Sequence, residues 1–255
     1  MQILSRLLNT IRLSFRLFKD DFKERNGNNR FGIIWYLLDP IMLFITFIFL
    51  FEIIFKIHEE VYPGYLLIGL VIFNFFRFST MQSFHILRKN RKKIDSEFTP
   101  GVFVLSNLFH SIFSHLFEII LLFIAFIYYG FPLIGLIFYP LIFLFFSLFI
   151  LGLTSVLSVI GVFFNELSRG WGILVRTLWF ITPTFYFVEK IGMMFFLNLF
   201  NPIFYFLYIS REIIIYNRIP ELWMILVMIY GSLFVFLFGI LIFQKNKGKI
   251  IEKLM

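Results

Sequence analysis

Ile119–Asn165 reads IILLFIAFIYYGFPLIGLIFYPLIFLFFSLFILGLTSVLSVIGVFFN, without one charged side chain. No hydrated surface can be built from such a run, so its solvent is lipid. As one helix it is about twice too long for a hydrocarbon core of ~30 Å. Gly130-Phe131-Pro132 interrupts it roughly a third of the way along, and proline removes a helical hydrogen bond there. The stretch therefore divides into two spans, over 103–129 and 133–164, joined by an uncharged tight turn.

The rest of the chain follows the same pattern. Of its 255 residues 60% are hydrophobic and 15% charged, with a mean hydropathy of +0.90. That composition leaves no stretch polar enough for a separate soluble domain. Further apolar runs cover 32–55, 65–84, 170–188 and 222–243. Asp39-Pro40 sits in the first turns of the earliest, Glu52 near its far end, Arg77 midway through the second and Arg176 early in the fifth. The fold class is thus an all-α integral membrane protein with six transmembrane helices, the membrane domain occupying 32–255. Zero cysteines exclude disulfides, thiolate chemistry and Cys-ligated metal. The net charge of +8 does not indicate nucleic acid, because the basic residues are spread between apolar spans.

Two segments lie outside the simple spans. In the first, 1–31, Leu4, Leu8, Ile11, Phe15, Phe18 and Phe22 recur at helical spacing, with Arg12, Arg16, Lys19 and Lys23 on another face. An amphipathic helix lying in the membrane interface has this pattern; a plain basic leader before the first span shares part of it. No secretory signal peptide opens the sequence. In the second, 191–210, two apolar pieces of half-membrane length flank Asn201-Pro202, which reads as a re-entrant pair. A seventh full span is the competing interpretation.

Charge asymmetry decides between them. Arg6, Arg12, Arg16, Lys19, Lys23, Arg25, Arg30, the cluster Arg88, Lys89, Arg91, Lys92 and Lys93, Arg169, and the tail Lys245, Lys247, Lys249 and Lys253 fall on one side. Only Lys56, Lys190, Arg211 and Arg218 fall on the other. By the positive-inside rule both termini are cytoplasmic, with 244–255 a cytoplasmic tail. A seventh span would place four tail lysines outside.

Catalytic constellations are missing from the sequence. There is no G-x-x-x-x-G-K-[ST], so the chain carries no P-loop of its own, and no H-E-x-x-H. The histidines are His58, His85, His110 and His115; the last two are not on one helical face, and Glu118 near His115 reads as a structural polar pair. No metal site and no catalytic residue is expected. Arg77 and Arg176 are costly in lipid, ~2.5–3.5 kcal/mol each at a helix centre. Each could pair with an acid, bind an anionic headgroup or snorkel; Asp39 and Glu118 are the candidate acids.

Asp21-Phe22-Lys23-Glu24-Arg25 through Arg30-Phe31-Gly32-Ile33-Ile34-Trp35-Tyr36-Leu37-Leu38-Asp39-Pro40 resembles, without gaps, the sequence that leads into span one of polysaccharide-export permeases. These are membrane subunits of type-2 ABC exporters for capsule, O-antigen and teichoic-acid chains. Tyr65-Leu66-Leu67-Ile68-Gly69-Leu70, Phe163-Phe164-Asn165-Glu166-Leu167, Ile181-Thr182-Pro183-Thr184-Phe185-Tyr186, and Asn201-Pro202 with Arg211 are similar to later motifs, in the same order. Gly27 stands where the family often has a second Arg, Phe98-Thr99-Pro100 replaces an F-P, and Asn165-Glu166 an R-D.

The resemblance implies a homodimer with two cytoplasmic ATPase subunits, which would bind ATP and Mg in place of this chain. The loop holding Arg88, Asn90, Lys92, Lys93, Asp95, Glu97, Phe98 and Pro100 would carry the coupling helix. Arg25, Arg30 and Trp35, and deeper in Arg77, would meet the lipid-linked glycan and its (pyro)phosphate. Pro183, Asn201, Pro202 and Arg211 would belong to the outer gate. Aromatics of spans one, two and five would line the channel, and the setting would be a bacterial cytoplasmic (inner) membrane. A drug or lipid exporter of the same fold is the alternative. An ion-coupled carrier would need paired mid-membrane carboxylates and inverted repeats, and a membrane transferase an acid–base cluster; neither is visible.

Overall fold

The computed structural model describes residues 2–26, 32–54, 56, 59–94, 98–188 and 192–254. Among them the fold is all helical. α1 covers Gln2–Asn26, and α2 covers Gly32–Ile48 before continuing as a π-helical stretch, Phe49–Ile54. α3 spans Tyr62–Lys89, with a 3₁₀ turn at Arg91–Lys93 before α4, Pro100–Tyr129. A 3₁₀ segment, Ile134–Phe138, runs into α5, Tyr139–Phe163. α6 is Leu167–Ile181, α7 Met193–Asn198, α8 Pro202–Ile214 and α9 Leu222–Leu254.

Among the described residues four helices are long and apolar enough to cross a membrane: α3, α4, the rod Ile134–Phe163, and α9. Their burial differs sharply. In α3 83% of the apolar window is enclosed by protein, against 28%, 33% and 17% for the other three. α3 is therefore the core, and the others wrap it with their outer faces left to lipid. Phe73, Phe75 and Phe76 of α3 pack with Phe126 of α4 and with Phe146 and Ile150 of α5. On α5 and α9, Gly152 and Gly239 let two backbones touch: a Cβ on Gly239 would lie 2.1 Å from the Gly152 carbonyl oxygen. Close approach of this kind lets van der Waals packing hold helices together where lipid gives no hydrophobic drive.

The break expected at Gly130 is present. Gly130 sits at φ 72°, a left-handed helix cap that a side chain would strain. The fifth span differs from expectation. Instead of running over 170–188, α6 stops at Ile181, and 182–188 is non-helical. Pro183 follows too closely for the helix to continue, and the segment's carbonyls are taken up by other elements. α9 also outruns the apolar run that ends at Phe243, continuing through the lysine-rich tail to Leu254.

α1 is helical, but its buried stripe is rotated from the apolar one read in the sequence. Ser14, Leu17 and Phe18 are buried, whereas Leu8, Ile11 and Phe15 remain exposed. The rings of Phe18 and Phe22 contact Phe113 of α4 at 5.7 and 4.7 Å between centroids. Leu17 joins Leu87, Val102, Phe103, Val162 and Ile250 in a cluster that ties five helices together. α1 is thus docked on the bundle with apolar and basic side chains still facing outward.

Candidate functional site

The expected outer-gate residues come together around the turn that follows α6. Arg211 of α8 is only 4% exposed. Its Nη1 donates to the Pro183 carbonyl at 2.6 Å, and its Nη2 to the Thr184 carbonyl at 2.9 Å. Nε and Nη2 both donate to the Tyr65 carbonyl of α3, at 3.2 and 2.9 Å. The guanidinium also lies 3.3 Å from the Tyr65 ring centroid, a cation–π contact. One planar fork thereby joins α3, α8 and the turn, a task for which a lysine lacks the geometry. Arg211 is therefore not a loop charge but a buried residue of α8.

Neighbouring groups hold the same turn. Asn201 Nδ2 donates to Thr182 Oγ1 at 2.7 Å, while its Oδ1 accepts from the Ile203 amide at 3.1 Å and caps α8. Pro202 occupies the first turn of α8, where its missing N–H costs nothing. The hydroxyls of Tyr62 and Tyr65 donate to the carbonyls of Phe185 and Tyr186 at 3.1 and 3.0 Å. Asn198 Nδ2 reaches the Ile181 carbonyl at 3.2 Å. Gly69 permits the approach, since a Cβ there would stand 2.1 Å from the Thr184 oxygen. Beside this clamp is a cleft of about 210 Å³ lined by Tyr65, Arg211, Glu212, Tyr216 and Arg218 with several phenylalanines. Tyr62 and Asn198 were not singled out from sequence, and Thr182 and Thr184 appeared only within the family-like stretch Ile181–Tyr186.

A second group surrounds Arg77. Its Nη2 donates to Asn74 Oδ1 at 3.2 Å, and Asn74 in turn bonds Glu118. Glu118 Oε2 is 2.9 Å from His115 Nδ1, and His115 Nε2 is 2.8 Å from the Tyr139 hydroxyl. Of the two candidate acids, Glu118 is buried and linked toward Arg77, whereas Asp39 is exposed. Arg77 faces a pocket of about 270 Å³ with Arg176, Leu43, Phe47, Phe73, Asn74, Val175 and Trp179. Rings from α2, α3 and α6 meet here, Phe47 to Trp179 at 6.2 Å and Phe73 to Trp179 at 4.8 Å.

The third group is at the opposite end of α3, ~35 Å along the helix from Tyr65. Arg88 Nη2 donates to the Val162 carbonyl at 2.7 Å, capping the end of α5. Asn90 Nδ2 donates to the Ile86 carbonyl at 2.8 Å. Lys93 pairs with Asp21 of α1 at 3.3 Å, a half-exposed bridge worth under ~1 kcal/mol. Lys92 is exposed, Phe98 packs on Phe103 at 6.3 Å between centroids, and Pro100 begins α4. Arg30, Asp95 and Glu97 lie outside the described residues, as does the side chain of Arg25. Trp35 is 58% exposed on α2.

An apolar helical bundle with a cation-locked turn at one end and a basic turn at the other suits a membrane transport component. The chain matches the ABC-2 type transporter family over residues 13–215 and belongs to it. The domain is the transmembrane permease component of an ABC system, which implies an ATPase partner. It is also similar to the O-antigen export system permease protein RfbA of Klebsiella pneumoniae, 23% identical over 236 residues, 91% of each chain.

Proposed function

We propose that this chain is the permease subunit of an ATP-driven exporter that moves a lipid-linked polysaccharide across a bacterial cytoplasmic membrane. The observation that carries this is the likeness to an O-antigen export permease along 91% of both chains. In this reading two copies enclose a channel, and two ATPase subunits supply ATP hydrolysis beneath it. The rod 32–54, and α6 together with the non-helical 182–188 that follows it, complete six crossings. α7 and α8 form the re-entrant pair, because 6 and 13 residues reach only ~9 and ~20 Å. Both termini are cytoplasmic, and α1 lies in the interface with its exposed Leu8, Ile11 and Phe15 toward lipid.

The parts then divide as follows. The turn around Arg88, Asn90, Lys92 and Lys93 and the start of α4 transmit ATPase motion. Arg25, Arg30 and Trp35 meet the carrier's phosphate at the cytoplasmic mouth. The Arg211–Asn201–Pro183 clamp holds the outer end, and aromatic faces of α2, α3 and α6 offer sugars a sliding surface. Deleting the gene tests this: surface glycan is lost and its lipid-linked form accumulates inside the cell. Intact surface glycan with new sensitivity to a drug would assign a small-molecule cargo instead.

A further inference from the structure

We propose that Arg77 and Arg176 form a diphosphate-binding station inside the membrane, in the pocket between α2, α3 and α6. It deepens the exporter function proposed here and rests on it, the ligand being the (pyro)phosphate of the lipid carrier. The two arginines come from different helices and line one pocket of about 270 Å³. Arg77 is ~18 Å along α3 from its basic end at Lys89, well inside the apolar span. Both residues are exposed and line this pocket, and among the described residues Arg176 has no hydrogen-bond or ion-pair partner.

Charge balance makes the case. A cation in the apolar belt needs an anion, and the pocket presents two cations. The buried carboxylate on this side of the bundle, Glu118, does not line the pocket, meets Asn74, and is already bonded to His115. That relay, which continues to Tyr139, fixes Asn74 and so aims Arg77 without neutralising Arg176. Two guanidinium forks facing one space suit a doubly charged group better than a single carboxylate. The remaining wall is aromatic and aliphatic (Phe47, Phe73, Trp179, Leu43), which suits the adjoining prenyl chain and first sugar.

The test measures binding of radiolabelled farnesyl diphosphate to the purified complex of this chain with its ATPase partner. Inorganic pyrophosphate and phosphatidylglycerol serve as competitors, separating a carrier headgroup from free anion and bulk lipid. Wild type is expected to bind saturably. Arg176→Gln and Arg77→Gln each raise Kd about tenfold, with partial recovery in the Lys variants. Because Arg176 is exposed and, among the described residues, has no polar partner, its variant folds, which an unchanged Tm of the complex checks. Wild-type-like binding in the double Gln variant, or no saturable binding in wild type, overturns the inference. Equal competition by phosphatidylglycerol or by inorganic pyrophosphate overturns the assignment to the carrier. Intact surface glycan after gene deletion would instead sink the exporter function while leaving arginine-dependent diphosphate binding in place.

Discussion

Arg211→Ala is expected to destabilise the protein by about 3–5 kcal/mol, in the range for removing one partner from a buried charged network. Four donor contacts, between 2.6 and 3.2 Å, engage three carbonyls on two separate elements. Each charge-assisted bond contributes ~1.5–3 kcal/mol in isolation, and these share one side chain, so they do not add. Removing the cation also relieves its own desolvation, which lowers the total. The carbonyls of Tyr65, Pro183 and Thr184 then lose this donor in a site where Arg211 is 4% exposed. Arg211→Lys keeps the charge but not the fork, so about half the loss is expected. Thermal unfolding of the detergent-solubilised complex reads this as a fall in Tm of roughly 10 °C for Ala and 5 °C for Lys. An Ala variant within about 2 °C of wild type would refute the claim that this guanidinium holds the turn.

Other perturbations follow from the same geometry. Gly69→Ala places a methyl 2.1 Å from the Thr184 oxygen, so the turn must move off α3; lower Tm and reduced export are expected, and unaltered export would contradict it. Gly152→Leu wedges α5 from α9, where a Cβ already meets the Val235 oxygen at 2.2 Å, and is expected to abolish accumulation of folded protein in membranes. Immunoblotting of membrane fractions checks this. Lys92→Glu with Lys93→Glu is expected to cut ATPase activity of the complex several-fold while the permease stays folded, measured on co-purified protein. A protease site inserted after Lys247 is expected to be cut only in inside-out vesicles; cutting in intact cells would reverse the orientation.

The break in the decisive stretch and the start of α8 were legible because both signals are local. Gly130 needs no partner to favour a left-handed cap, and Pro202 after Asn201 announces a helix start by chemistry within one turn. The end of α6 was not legible by hydropathy. Residues 182–188 carry no charge, and what holds them in a turn instead of a helix comes from Tyr62, Tyr65 and Arg211, up to 123 positions away. The tail shows the opposite limit, since hydropathy marks where lipid ends at Phe243 but not where the helix ends at Leu254. Arg77 could be flagged as costly from its position alone. Its alignment through Asn74 to Glu118 and His115 requires knowing that α3 and α4 pack side by side.

The most direct measurement of the central claim uses inside-out vesicles carrying the permease with its ATPase, loaded with the lipid-linked glycan on their outer face. The account predicts that ATP makes the glycan resistant to added glycosidase, at a rate lost when ATP hydrolysis is blocked. Glycan that stays fully digestible while the complex hydrolyses ATP at its normal rate would contradict it.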